Sequence, residues 1–137
     1  MIKKLFALLL IASLLGCEKK QEKVGCAPKE CTLSFAMLGV NYTDKDGAAV
    51  FVKNFSVINQ RTQLSVLPTT QQDMFVKGYY VITDDSKKDK FSTEGDNVIV
   101  SATYEATGQT KTATFKISGG CNCHINKISG PQTISFD

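Results

Sequence analysis

Five cysteines and a single histidine carry the most reactive side chains in the 137-residue sequence. Cys26 and Cys31 lie near the start of the chain, and Cys121-Asn122-Cys123-His124 lies near its end. Thiolates and imidazole are ligands that zinc and cuprous copper prefer, whereas paired thiols in an oxidising compartment form disulfides. The chemistry open to these residues therefore depends on whether the chain is exported.

The first seventeen residues indicate export. Lys3 and Lys4 precede an apolar run from Leu5 to Leu15, and the small Gly16 comes before Cys17. A membrane-spanning helix needs roughly 20 apolar residues. Because this run is shorter and charged residues follow it, it predicts a cleaved secretory signal.

The motif Leu14-Leu15-Gly16-Cys17 resembles the lipobox of bacterial lipoproteins. The resemblance implies cleavage before Cys17, acylation of that cysteine by palmitate or similar chains, and anchoring to a membrane of the cell envelope. It implies the outer membrane or cell surface, with the protein facing the periplasm or the exterior. The tail 118–131 resembles uncharacterised lipoproteins of Bacteroidota, which implies no known activity.

If Cys17 is acylated, an even number of cysteines is left for other chemistry, and export favours disulfides between them. Cys121 and Cys123 are poorly placed to bond each other, because residues i and i+2 of a strand lie on one face about 6.5 Å apart or more. The N-terminal pair should therefore bridge to the C-terminal pair. Two pairings satisfy this: Cys26–Cys121 with Cys31–Cys123, or Cys26–Cys123 with Cys31–Cys121.

A metal site is the alternative use of the same residues. The ligands would be four thiolates and one imidazole, from Cys26, Cys31, Cys121, Cys123 and His124. The C-terminal pair has one intervening residue, whereas zinc sites usually have two to four, and an oxidising compartment competes for the thiols. We therefore expect no cofactor and keep zinc or copper binding as the second hypothesis.

Catalysis by a Ser-His-Asp or Cys-His arrangement would have to use His124. A histidine beside a disulfide is more often packed or solvated than catalytic. The stretch 84–90 contains Asp84, Asp85 and Asp89. Lysines are interspersed with them, which predicts a solvated loop. We therefore expect no catalytic site and a protein that is not an enzyme.

The rest of the chain predicts a tether followed by one domain. Residues 1–16 form the signal peptide, residues 17–30 the acylated cysteine and a flexible tether, and residues 31–137 a folded domain. The stretch 18–30 is charged, contains Pro28 and has too few large apolar side chains to offset the entropy of ordering.

The domain has the period-two patterning of β-strands. Leu33, Phe35 and Met37 alternate with polar or small residues, and the phase shifts at Leu38, which predicts a bulge. Thr107–Gln109 separates two alternating runs and predicts a hairpin. Seven to nine short strands predict a single antiparallel all-β sandwich.

A turn in the first half of the domain carries a resemblance to known sandwiches. Asp44-Lys45-Asp46-Gly47, followed by the strand 48–52, resembles the immunoglobulin-like and transthyretin-like domains of bacterial surface proteins. The resemblance implies a sandwich of the immunoglobulin-like or transthyretin-like type, and the leader, the tether and the lack of a catalytic constellation in the sequence favour a binding or structural role.

Net charge and aromatic composition indicate which classes of binding partner the protein has. The net charge of +3 falls to +1 when Lys3 and Lys4 leave with the signal, which argues against nucleic acid. The chain has no tryptophan, and its tyrosines, Tyr42, Tyr79, Tyr80 and Tyr104, are expected to pack in or around the core. The sequence thus predicts a non-enzymatic, lipid-anchored envelope protein with the membrane and an unknown envelope protein or glycan as partners.

Overall fold

The computed structural model describes residues 25–69 and 76–137, so the predicted signal peptide and Cys17 lie outside the described residues. The described part is almost entirely β, with one 3₁₀ segment at Asp85–Lys90. Its eight strands are β1 (Met37–Thr43), β2 (Val52–Asn59), β3 (Leu64–Ser65), β4 (Tyr79–Asp84), β5 (Asp96–Tyr104), β6 (Thr110–Ser118), β7 (Asn126–Ser129) and β8 (Thr133–Ser135).

These strands form two sheets. One has three strands in the order β4-β1-β8, and the other has five in the order β3-β2-β5-β6-β7. The prediction of an all-β sandwich with seven to nine strands is confirmed. One pair departs from the antiparallel expectation, since β8 runs parallel to β1, with Ile134 opposite Tyr42. The chain passes from β7 in the five-stranded sheet to β8 in the three-stranded sheet. These two strands therefore form no hairpin, and β8 pairs with β1 instead.

The core lies between the sheets and consists of the inward residues of the alternating strands. Val40, Tyr42 and Ile82 come from the three-stranded sheet and Val100 and Phe115 from the five-stranded one, all at 0% exposure. Period-two alternation therefore identifies the buried face correctly on both sheets.

Aromatic rings close one side of this core. Tyr42 and Tyr104 both stack on Phe136, with ring centroids 5.7 and 5.2 Å from that of Phe136. Tyr80 meets Tyr42 edge-on at 5.5 Å. Burial, and secondarily the neighbouring Tyr80, raises the pKa of Tyr42 well above its ordinary value. The expectation that the tyrosines pack in or around the core is confirmed for Tyr42, Tyr80 and Tyr104.

Two local features of the strands also agree with the sequence. The β1–β4 register shifts between Leu38 and Gly39, where the phase of alternation changes. β5 and β6 pair over eight residues on either side of the turn at Thr107–Gln109. The bulge lies near the start of β1, and the segment just before that strand contains part of the candidate site.

The acidic stretch after β4 differs from its prediction. Residues 85–90 form a 3₁₀ segment, and Asp84, which caps it by accepting a 2.9 Å hydrogen bond from the Ser86 amide, is buried. Lys90 and Asp89 remain exposed, as a solvated loop requires. The prediction of a solvated loop is therefore wrong for Asp84 and Asp85, because both carboxylates accept hydrogen bonds from backbone amides.

Candidate functional site

Two disulfides join the N-terminal segment to the loop between β6 and β7. Cys26 bonds to Cys121 and Cys31 bonds to Cys123, with Cα atoms 5.2 and 5.3 Å apart. The structure thus confirms bridging between the two chain ends and selects one of the two pairings that the sequence left open. Disulfides of this kind place the domain in an oxidising compartment outside the cytoplasm.

The bridges also attach the end of the predicted tether to the domain. Residues 25–35 form no helix or strand and are exposed, and Cys26 and Cys31 fix this segment at two points. The Cys123 sulfur also lies 3.7 Å from the carbonyl oxygen of Glu30. Position 26 is therefore the first point at which the described chain is covalently fixed to the sandwich.

A carboxylate provides a third point of attachment. Asp85 accepts 2.8 Å hydrogen bonds from the Ala36 amide, just before β1, and from the Ile125 amide, just before β7. Burial opposes its ionisation, but these amides and the adjacent His124 outweigh burial and lower the pKa of Asp85. One charged side chain thus holds together the two segments that the disulfides link.

His124 lies between Asp85 and the N-terminal segment. Its Nδ1 is 2.6 Å from the Asp85 carboxylate, and its Nε2 is 2.9 Å from the Thr32 hydroxyl, which is 2.7 Å from the Ser34 hydroxyl. Because a carboxylate only accepts, Nδ1 donates to Asp85. In the neutral ring, Nε2 then accepts from Thr32. His124 is therefore packed into the attachment of the N-terminal segment, as expected for a histidine beside a disulfide.

The 3₁₀ segment supports the disulfide loop from the other side. The Lys88 ammonium donates 3.0 Å hydrogen bonds to the carbonyls of Gly120 and Asn122, and the Gly120 amide donates back to the Lys88 carbonyl at 2.8 Å. A Cβ at Gly119 would collide with that same carbonyl. The loop therefore needs glycine at position 119 in order to lie against the 3₁₀ segment.

These contacts gather three segments at one end of the sandwich, which we call the clamp pole: residues 25–36, 85–90 and 119–125. Two exposed apolar side chains extend from it, Leu33 at 104% exposure and Phe35 at 62%. Phe35 also lines a shallow groove of about 390 Å³ together with Met37, Pro68 and Val81. Among the described residues, the clamp pole thus combines a covalent attachment with exposed apolar side chains.

The arrangement at His124 has one catalytic parallel. Hydroxyl, imidazole and carboxylate in the order Thr32–His124–Asp85 match the order of nucleophile, base and orienting acid in hydrolases. The same three groups equally serve to hold residues 32–36 to the domain. Chemically, the site can either restrain the segment or activate the Thr32 hydroxyl.

Metal binding would require different sulfur chemistry. In the disulfide-bonded state the four cysteines offer no thiolate, and the described residues contain no group of three or more His, Cys, Asp or Glu side chains that could hold a metal ion. No helix within residues 25–69 and 76–137 is long and apolar enough to cross a membrane.

A second buried carboxylate lies beside the clamp pole. Asp96, at the start of β5, accepts hydrogen bonds of 2.8 Å from Arg61 Nε and Asn59 Nδ2, and both the amide and the hydroxyl of Ser92 donate to it. Burial opposes ionisation, but these donors outweigh it and hold the pKa of Asp96 far below its ordinary value. Its partners come from the end of β2 and from the loop before β5, so this carboxylate joins these two parts of the chain.

Sequence reasoning found the disulfides and His124 but missed Asp85, Thr32 and the exposed Leu33. Asp85 lies 39 residues from His124, and Thr32 lies 92 residues from it, so spacing gives no sign of the contact. Leu33 follows an alternation that predicts a buried position, but β1 begins only at Met37.

Comparison of the chain with protein-family models, with curated proteins and with solved structures gives no match.

Proposed function

We propose that the protein is an envelope lipoprotein, anchored through Cys17, whose β-sandwich has a non-enzymatic binding or structural role. The observation that carries the proposal is the pair of disulfides at the end of the predicted tether. Two bridges between chain segments more than 90 residues apart suit an exported domain that is held by its N-terminus. The signal and lipobox supply the anchor, and the exposed surface of the sandwich supplies the contact with an envelope protein or glycan.

Anchoring is tested by Cys17→Ser in the producing cell. We expect the wild-type protein to incorporate labelled fatty acid and to fractionate with membranes, and the variant to lose the label. The matched control is Cys26→Ser, which removes a different cysteine nine residues further on and should keep the label. Lipid labelling that survives Cys17→Ser would exclude the lipobox.

The non-enzymatic role is tested on the hydroxyl that lies against His124. An activated ester should be hydrolysed at the same rate by the wild-type protein, by Thr32→Ala and by His124→Ala. The reason is that Thr32, His124 and Asp85 serve to hold residues 32–36 to the domain. A rate that falls at least about tenfold in both variants would indicate nucleophilic or general-base catalysis and would overturn this part of the proposal.

The metal hypothesis is tested by intact mass of the protein isolated without reductant. We expect a mass lower by about 2 Da per bridge than that of the reduced chain. Free thiols with stoichiometric zinc or copper would instead support metal binding through the four cysteines and His124.

A further inference from the structure

The position of the clamp pole relative to the anchor is restricted by the covalent structure. If Cys17 is acylated, as proposed above, only the eight residues 18–25 separate the lipid from Cys26, where the chain is fixed to the domain. A flexible spacer of eight residues would have a root-mean-square span of about 14–17 Å. With that anchor, the domain is attached to the lipid through the clamp pole, and the link keeps this pole close to the lipid surface.

The clamp pole presents apolar side chains on that side. Leu33 is fully exposed and Phe35 is more than half exposed, and they lie two residues apart in a segment that forms no helix or strand. The stretch is fixed before Leu33 by the Cys31–Cys123 bridge and after Phe35 by the bond from the Ala36 amide to Asp85. Leucine and phenylalanine held in this way are the side chains that enter the boundary between headgroups and acyl chains.

We propose that Leu33 and Phe35 dock the clamp pole onto the membrane that holds the acylated Cys17. The inference rests on the proposed lipid anchor and adds an orientation to it. The clamp pole lies against the lipid, and the opposite end of the sandwich, with Phe51 just before β2 and the β5–β6 turn, faces away from it. The tether then acts as a short link to a domain that lies on the surface.

Phe51 provides a matched control. It is 56% exposed, close to the value for Phe35, but its carbonyl accepts a hydrogen bond from Glu105 at the far end of β5, and the Lys77 ammonium lies 5.5 Å from its ring centroid. Exposure and chemistry are thus similar at the two phenylalanines, and their positions in the sandwich differ.

Since the chain contains no tryptophan, a single introduced tryptophan reports on one position. Acylated full-length mature protein carrying Leu33→Trp, Phe35→Trp or Phe51→Trp is reconstituted into phosphatidylcholine–phosphatidylglycerol vesicles with brominated acyl chains. Flotation first shows whether the protein is anchored. Bromine quenching of fluorescence then shows whether each position contacts lipid.

We expect all three variants to float, and quenching at positions 33 and 35 to be at least about threefold stronger than at position 51. In Phe35→Trp, adding Leu33→Ser should weaken the quenching, because the second apolar contact is lost. Flotation with equal or absent quenching at positions 33 and 51 overturns the docking and leaves the anchor intact; such a patch would be free for a protein partner. Absence of flotation overturns the anchor and the docking together.

Discussion

Asp96 is the clearest case in this fold of one side chain that accepts several hydrogen bonds. Asp96→Ala removes the acceptor for Asn59, which is buried, and for Arg61, which is half exposed. We expect a loss of about 2–3 kcal/mol in the free energy of unfolding, since the buried Asn59 amide loses one of its two acceptors and the amide and hydroxyl of Ser92 lose theirs. Equilibrium denaturation with the disulfides intact measures this loss.

The control for Asp96 is Asp89→Ala. Asp89 is exposed and pairs only with its neighbour Lys90, so its removal should change stability by less than about 0.5 kcal/mol. Equal effects of the two substitutions would contradict the role given to Asp96.

Asp85 makes a prediction about pH. Its pKa is lowered in the folded protein, so the carboxylate contributes stability above the ordinary aspartate pKa of about 4, and this contribution is lost as the pH falls below that value. Asp85→Asn lacks the ionisable group. We expect the variant to be less stable than wild type at pH 7 and to lose less stability between pH 7 and pH 3.

Unfolding curves at a series of pH values measure the effect of Asp85→Asn, with Asp89→Asn as the exposed control. Asp96 also has a lowered pKa, so wild type and both variants keep some acid sensitivity. Parallel stability profiles for Asp85→Asn and wild type would show that Asp85 contributes no acid-sensitive stability.

At the scale of elements, the contributions of the two disulfides to stability depend on each other. They span 95 and 92 residues and lie side by side, so with one bridge present the second closes a ring of only about nine residues. Loop entropy then predicts a cost of about 2–3 kcal/mol for losing either bridge alone and about 7 kcal/mol for losing both.

Serine replacement of each cysteine pair, and of both pairs, tests this coupling by equilibrium denaturation. The loss for the four-serine variant should exceed the sum of the two single-pair losses. A four-serine variant no less stable than either single-pair variant would show that the unfolded chain is not restricted by these bridges.

The contact between the 3₁₀ segment and the disulfide loop depends on Gly119. A methyl group there would meet the Lys88 carbonyl, so Gly119→Ala should cost about 1–3 kcal/mol through overpacking. Gly25→Ala, at a position with open space around it, should have little effect. Equal unfolding midpoints for the two variants would show that the loop can move away from the 3₁₀ segment without cost.

Much of the fold is predictable from the sequence, because period-two alternation records which face of each strand is buried. Val98, Val100 and Ala102 alternate in this way and are all buried. The candidate site is less predictable. Its disulfides follow from cysteines at the two ends of the chain, but Asp85 meets Ala36, His124 and Ile125 through tertiary contacts that leave no local pattern. These contacts overturn the prediction of a solvated loop at Asp85, and the hydrogen bond from the Ser86 amide overturns it at Asp84.

At the scale of the whole molecule, the disulfides give the domain a second covalent route to its own N-terminus. Lys29 lies in the exposed segment between Cys26 and Cys31. A single proteolytic cut after Lys29 leaves the N-terminal piece bonded to the domain through Cys26–Cys121, and the rest of the chain remains attached as well. For a lipid-anchored protein, one cut in this segment would not release the domain from the membrane.

Limited trypsin digestion followed by mass spectrometry tests this attachment. We expect the piece that ends at Lys29 to separate from the domain only after reduction. In the variant Cys26→Ser with Cys121→Ser, the same cut should release the piece without reductant, while Cys31→Ser with Cys123→Ser should still hold it. Release from the wild-type protein under oxidising conditions would contradict the bridge at Cys26, and with it the short link that places the clamp pole at the membrane.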